Sequence, residues 1–174
     1  MEKMVIDNLT MKRTIRRISY EIIEKNKSLE DVVLLGIRKK GVVLSQIIRE
    51  NIKQIEGNNV PCFELDITPY RDDIETSIPK EINKELVNMS LANKVVILVD
   101  DVLFTGRTVR AAMDAVMDLG RPLKIELAIL IDRGHRQIPV SPNYVGKNIP
   151  TSQDEHIQVK LSDLGEKDKV IITK

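Results

Sequence analysis

Charge of one sign is missing from this 174-residue chain: 27 Lys and Arg face 26 Asp and Glu, for a formal net charge of +1. That balance excludes bulk electrostatic attraction to nucleic acid, so any such partner must be met by a local cluster. Cysteine is nearly absent. Cys62 stands alone, which excludes an internal disulfide. No Cys/His pair has metal-ligand spacing, and a reducing, cytoplasmic compartment is expected. No apolar run approaches about 20 residues, and "MEKMVIDNLT" has no hydrophobic signal core, so no membrane span or signal peptide is expected. Internal repeats and low-complexity segments are also missing. What remains is 42% hydrophobic and 30% charged, the composition of a globular chain whose length suits one domain, residues 1–174, with a real core.

The hydrophobic pattern alternates between two periods. Met11 to Asn26 carries Ile15, Ile18 and Ile22 at helical spacing. Val32 to Ile37 is a buried-strand run, and "RKKG" follows it. A second helix is expected over Val42 to Ile55, ended by "EGNN". Val60 to Thr68 reads as a strand, and Pro69 to Asn83, charged and poor in apolar residues, as a mobile loop. A short strand is expected over Glu85 to Ser90, then a firm one over Val95 to Val99. Thr108 to Leu119 is a helix with Val109, Ala112, Met113 and Val116 inward, stopped by Gly120 and Pro122. Lys124 to Ile131 is the next strand, and His156 to Leu161 and Lys169 to Thr173 are two more. Strands alternating with helices predict an α/β fold with a mostly parallel sheet. Ligands of such sheets sit beyond the carboxyl ends of the strands. There the chain places "GIRKKG", "DDVLFTGRT" and "DRGHR".

The segment "VVILVDDVLFTGRT" holds the main clue. Val102, Leu103, Phe104, Thr105, Gly106, Arg107 and Thr108 form a loop at a helix start, where backbone N–H groups and the helix dipole favour an anion. The leading Gly and the Lys of a Walker A loop are both missing. Asp100 and Asp101 precede the loop. A phosphate alone does not want two carboxylates beside it, whereas a phosphorylated sugar does. Its phosphate enters the loop, two hydroxyls donate to the acids, and the carboxylates stabilise a cationic sugar centre. Taken alone, the acid doublet reads better as a buried strand end paired with arginines; the whole fourteen-residue segment favours the sugar-phosphate site. "RKK", from Arg38 through Lys39 to Lys40, is either a solvated loop or, at a strand's end, an anion site.

The same segment resembles the phosphoribosyl-diphosphate motif of type I phosphoribosyltransferases. Together with "TIRRISYEIIEKNK", "LLGIRKKGV", "DITPYRDD", "GRPLKIELAILIDRGHRQIP" and "YVGKNIPTS", it is similar to the PyrR family. These are bifunctional pyrimidine-operon attenuation regulators and uracil phosphoribosyltransferases. The resemblance runs from about Thr14 to the C-terminal strands. It implies a type I phosphoribosyltransferase fold with a flexible loop at about 69–83 and a hood from about 141–174. It also implies that uracil and PRPP, bound with Mg²⁺, give UMP and diphosphate. Asp100 and Asp101 then hold the ribose hydroxyls directly or through the PRPP-bound metal. Residues 102–108 cradle the 5′-phosphate, and Arg38, Lys39 and Lys40 face the diphosphate. Tyr70, Arg71, Asp72 and Asp73 match the closing loop, with Arg71 counted among the catalytic residues. Asp132 and Arg133 line the base site, with Val145 and Ile149 as its apolar slot or as plain core.

The second implied partner is a hairpin of pyr mRNA leader, bound under control of UMP or UTP. Lys12, Arg13, Arg16 and Arg17 lie beside the apolar face of the first helix, which is either a solvated face or part of an RNA surface. Lys39, His135, Arg136 and Lys147 join it if the loops share a side. Lys39 and Arg16 stand where the family commonly has threonine, and Ser141 where a basic residue is common, so charge is relocated. The family implies a homodimer, with a higher oligomer as the alternative. Two competing readings are a phosphoribosyltransferase for another base without an RNA role, and a non-catalytic sensor of PRPP or UMP.

Overall fold

A computed structural model describes residues 1–74 and 83–174. In chain order it contains β1 (Glu2–Ile6), α1 (Asn8–Lys25), β2 (Val32–Ile37), α2 (Lys40–Glu56), β3 (Cys62–Leu65), α3 (Lys84–Val87), β4 (Val95–Leu103), α4 (Arg107–Leu119), β5 (Lys124–Asp132), β6 (Tyr144–Asn148), β7 (His156–Lys160) and β8 (Lys169–Thr173). Five strands form one parallel sheet in the order β3–β2–β4–β5–β6. Every residue of β2 is buried, as both-face coverage demands. Alternation then sorts the side chains. Val32 and Leu34 of β2, with Val95, Ile97 and Val99 of β4, pack against Ile15, Ile18 and Ile22 of α1 and Leu44, Ile48 and Ile52 of α2. Val33, Leu35, Val96 and Leu98 face the other way, onto Val109, Ala112, Ala115 and Val116 of α4. Each such large aliphatic side chain stabilises the fold by roughly 1.5–3 kcal/mol on full burial.

Asp7 caps α1 by accepting from the Thr10 backbone N–H at 2.8 Å. A cap of this kind contributes about 1 kcal/mol. The other end of α1 is held by a buried polar group. Glu126 on β5 is only 3% exposed and meets Lys25 Nζ at 2.9 Å, while Tyr144 Oη donates to it at 3.2 Å. A carboxylate so desolvated needs such partners, and they fix α1 against β5 and β6.

A second, antiparallel sheet runs β1–β8–β7. Its Ile6, Val159 and Val170, with Leu161 just after β7, join the core on the α1/α2 side. One expectation is corrected here. Glu85 to Ser90 is not a strand: Lys84–Val87 is a single helical turn whose Leu86 is buried. Tyr144–Asn148, within the segment expected to form the hood, is the edge strand of the main sheet, and β1, from the far end of the chain, completes the small one. The predicted strand over Val60 to Thr68 is shorter and passes into a 3-10 turn at Thr68–Tyr70. The greater part of the expected loop at 69–83 lies outside the described residues. Among the described residues, no helix is long and apolar enough to cross a membrane.

Candidate active site

Register brings the three expected strand ends together. Leu103 of β4 pairs with Asp132 of β5, which pairs with Asn148 of β6. On the other side Val99, one residue before the acids, pairs with Gly36 of β2, and the "RKK" segment follows directly. The turn from β2 into α2 is closely packed. A Cβ on Gly36 would lie 2.5 Å from Val42 Cα, and one on Gly41 would lie 2.3 Å from Val99 O. Only glycine allows α2 to start this close to β4. The result is that Lys40 Nζ stands 3.7 Å from Asp101 Oδ2. The Arg38–Lys39 peptide in this turn is cis. Arg38 is held by Glu64 at 3.3 Å and Asp66 at 3.4 Å, both half-exposed.

The two acids differ. Asp100 is buried, and its Oδ1 accepts from the Asp101 N–H at 2.8 Å. Burial, then the neighbouring Asp101 charge, push its pKa well above the usual carboxylate value. Asp101 is the accessible member. Among the described residues no three His, Cys, Asp or Glu side chains gather as a metal cage. Such a donor pair fits Mg²⁺, an ion that keeps waters and takes much of its shell from substrate phosphates.

The loop read from the sequence as a phosphate cradle follows. Gly106 sits at φ +92°, where L side chains are strained, and a Cβ there would meet Val140 Cγ2 at 2.6 Å. It starts α4 without a side-chain cap, so the first N–H groups of the helix face the loop. The Thr105 carbonyl accepts from Gln137 N at 2.9 Å and Ile138 N at 3.1 Å, which clamps the cradle to the chain after β5. Leu103 points its side chain into the core and Val102 packs against the opposite core, so both present only backbone to the loop. Arg107 is held by Gln137 Oε1 at 2.9 Å and Asp72 Oδ2 at 3.0 Å. Arg71 pairs instead with Asp73.

Beyond β5 the residues interlock. Arg133 is 4% exposed. It donates to Thr151 Oγ1 at 3.0 Å and Ser152 O at 3.1 Å, and its guanidinium lies 4.0 Å from the Phe104 ring centroid. Phe104 also meets His135 edge-on, and His135 Nε2 bonds the Thr151 carbonyl. Arg136 bonds Asp132, Phe104 O and Val140 O. Burial works against ionising Asp132, but the Arg136 and Gly134 donors outweigh it and hold its pKa below the ordinary value. Asp132, Arg133 and Arg136 therefore tie the chain after β5 to the loop before α4 and to Thr151 and Ser152. Val145 is part-buried, and Ile149 packs on the core.

Of the expected RNA-facing residues, Arg13, Arg16, Lys39, His135 and Lys147 are exposed. Arg17 is half-exposed and already engaged: it pairs with Glu21 and donates to the carbonyls of Val145 and Gly146 on the β6 edge. Gly146 faces Thr14 of α1, so by strand alternation Lys147 leaves the opposite face from the helix. The residues not anticipated are Gln137, Thr151 and Asp66. Gln137 and Thr151 lie in segments already notable for their motifs, but their partners are distant in sequence.

Comparison with known proteins agrees with this geometry. The model of the phosphoribosyl transferase domain matches residues 2–163. A curated protein of Enterococcus faecalis named "Bifunctional protein pyrR" is 54% identical over 99% of this chain and 97% of its own length. One of Pediococcus pentosaceus with the same name is 50% identical over 99% of each. Among solved structures, a hypoxanthine phosphoribosyltransferase of Staphylococcus aureus superposes with a TM-score of 0.73 at 19% identity, covering 97% of this chain and 90% of that one. The Trypanosoma cruzi enzyme in complex with IMP gives 0.74 at 16%, covering 99% and 90%. Those two show a shared fold.

Proposed function

This chain belongs to the phosphoribosyl transferase domain family and to the bifunctional PyrR family within it, and on that premise we propose that it converts uracil and PRPP to UMP and diphosphate and binds a pyr leader hairpin in response to uridine nucleotides. The observation that carries the catalytic half is the acid pair set between two anion-holding loops, one on each side of β4. In this reading the cradle at Thr105–Thr108 takes the 5′-phosphate, and the turn with Arg38, Lys39 and Lys40 takes the diphosphate. Asp101 and Asp100 take the ribose hydroxyls between them. Uracil N1 loses its proton to solvent and bonds to C1′ as the bond from C1′ to the diphosphate oxygen breaks. Positive charge grows at the sugar during that step. Burial makes the Asp100 carboxylate costly in the free protein, and bound positive charge, with the charge that grows at the sugar, offsets that cost. Mg²⁺ bound with PRPP would be held by Asp100 and Asp101 and would neutralise the departing diphosphate. Arg133 and its partners Thr151 and Ser152 fix the wall against which the base lies, with Val145 and Ile149 as its apolar side. Arg71 and its neighbours close the site from outside and exclude water.

The RNA half rests on the family and on the exposed cations of α1, Arg13 and Arg16, with Arg17, Lys39, His135 and Arg136 as the further surface; Lys147, expected to join them, leaves the other face of the sheet and is not counted with α1. The whole chain acts as one domain, in the cytoplasm, as a homodimer. Replacing Asp101 with Asn removes charge and keeps shape, and it should cut kcat/KM for uracil and PRPP at least about 100-fold with the fold intact. Wild-type kcat/KM in a folded Asp101→Asn protein contradicts the assignment. Competition among bases supplies the second arm. Uracil should outrun hypoxanthine, guanine and orotate, and faster turnover of a purine would make this a purine enzyme.

A further inference from the structure

Arg38 belongs to the turn read above as the diphosphate site, yet its side-chain partners come from a different element. Nε faces Glu64 at 3.3 Å, and Nη1 faces Asp66 Oδ2 at 3.4 Å. Glu64 ends its role there. Asp66 does more, because its second oxygen is also occupied. Oδ1 accepts from the Thr68 backbone N–H at 2.9 Å and from Thr68 Oγ1 at 2.7 Å. Those two bonds form an Asx-type turn that sets the 3-10 segment Thr68–Tyr70. Immediately beyond lie Arg71 and Asp72, and Asp72 reaches Arg107 at the phosphate cradle. One carboxylate thus stands between a cation of the diphosphate turn and the root of the segment that reaches the 5′-phosphate loop. The hydrogen bonds from Thr68, together with Arg38, outweigh the burial that opposes ionisation, so Asp66 stays charged at neutral pH.

We propose that Asp66 is a positioning residue for phosphoribosyl transfer: one oxygen orients Arg38 towards the diphosphate, and the other pins the Thr68–Tyr70 turn that presents Arg71 and Asp72. The proposal rests on the phosphoribosyltransferase reading. It assigns the two oxygens different kinetic consequences. The Arg38 contact is a half-exposed ion pair, so its loss is modest and falls on PRPP binding. The Thr68 contact sets where Arg71 and Asp72 sit, and with them the Asp72 contact to Arg107, so its loss falls on the positioning of groups for the chemical step.

Two substitutions separate the two oxygens. Asp66→Asn keeps an acceptor for Thr68 but loses the charge facing Arg38. Thr68→Val keeps the carboxylate and the backbone bond but loses the hydroxyl donor. With wild type as reference, the Asn variant should raise KM for PRPP about two- to fivefold and leave KM for uracil and kcat near wild type. The Val variant should lower kcat severalfold and leave KM for PRPP near wild type. Asp66→Glu, which returns the charge, should recover part of the PRPP affinity. An Asn variant with unchanged KM for PRPP overturns the proposal. So does a uniform fall in every parameter of both variants that follows their melting temperatures, because that is the mark of a merely structural residue. A wild-type protein that turns over neither uracil nor a purine with PRPP overturns the functional reading itself and this proposal with it.

Discussion

Gly41→Ala puts the turn geometry at risk with a single methyl group. Helix propensity alone predicts a gain of up to about 1 kcal/mol, because Gly41 lies in the first turn of α2 and Ala is the better helix former. The packing predicts the reverse. The added Cβ would lie 2.3 Å from Val99 O, 3.2 Å from Val99 C and 3.3 Å from Asp100 Cα, where ordinary contact begins at 3.4 Å. These neighbours are backbone atoms of a central strand, so they cannot rotate aside. The start of α2 must move away from β4 by about 1 Å, and overpacking of this kind costs roughly 1–3 kcal/mol. For a chain of this size that lowers Tm by about 2–12 °C. The same movement carries Lys40 away from Asp101, from which it now stands 3.7 Å. A displacement of about 1 Å among positioned groups can cost about 100-fold in rate. Differential scanning fluorimetry and steady-state kinetics with PRPP and uracil read the two effects separately. An Ala variant with equal or higher Tm and wild-type kcat/KM would refute the claim that close backbone approach sets this turn.

Three further outcomes follow from the site. Asp100→Asn should stabilise the free protein at neutral pH while abolishing most turnover. The folded-state pKa of Asp100 is raised, so wild-type stability falls as pH climbs from about 4 through the displaced value, at about 1.4 kcal/mol per unit of displacement. Thermal melts of both proteins from pH 4 to 8 should therefore diverge upwards in pH, and parallel curves would contradict the burial argument. Arg133→Lys loses the planar fork to Thr151 and Ser152 and the stacking on Phe104. It should raise KM for uracil about tenfold or more, with a smaller effect on KM for PRPP, because bonds of a buried cation contribute about 1.5–3 kcal/mol each. Arg17→Ala should weaken hairpin binding. Loss of a phosphate contact lowers the salt slope by about 1 unit, whereas loss of a base contact costs roughly 1–3 kcal/mol and relaxes sequence preference. Filter binding across a salt series separates these, and unchanged affinity and slope would place the RNA surface elsewhere.

Much of the main sheet is legible in the chain because its causes are local. Val32–Leu35 and Val95–Val99 are unbroken β-branched and aliphatic runs, and the helices between them repeat at helical spacing. β1 is not legible. "EKMVI" carries one buried residue, and its strand state comes from pairing with β8 at the other end of the chain. Glu85 to Ser90 misleads for a related reason: a single turn of helix is too short to display a period. At the candidate site, the acid pair at the end of β4 and the small-residue turn into α4 can be read from spacing and residue type. What spacing cannot carry is the division of labour between the acids. That Asp100 is the buried member and Asp101 the accessible one depends on strand register and on how closely α2 packs. The engagement of Arg17 and Arg136 by carbonyls and carboxylates depends on contacts between distant segments. Composition presents both only as surface cations.

The claim that one chain joins nucleotide chemistry to RNA control is tested most directly by a single titration: affinity for a pyr leader hairpin with and without saturating UMP. A nucleotide can shift RNA binding only through differential affinity for the two arrangements of the protein. The account predicts hairpin binding that tightens at least severalfold with UMP and does not respond to an unrelated hairpin. Equal affinity with and without UMP, or no affinity at all, would contradict it.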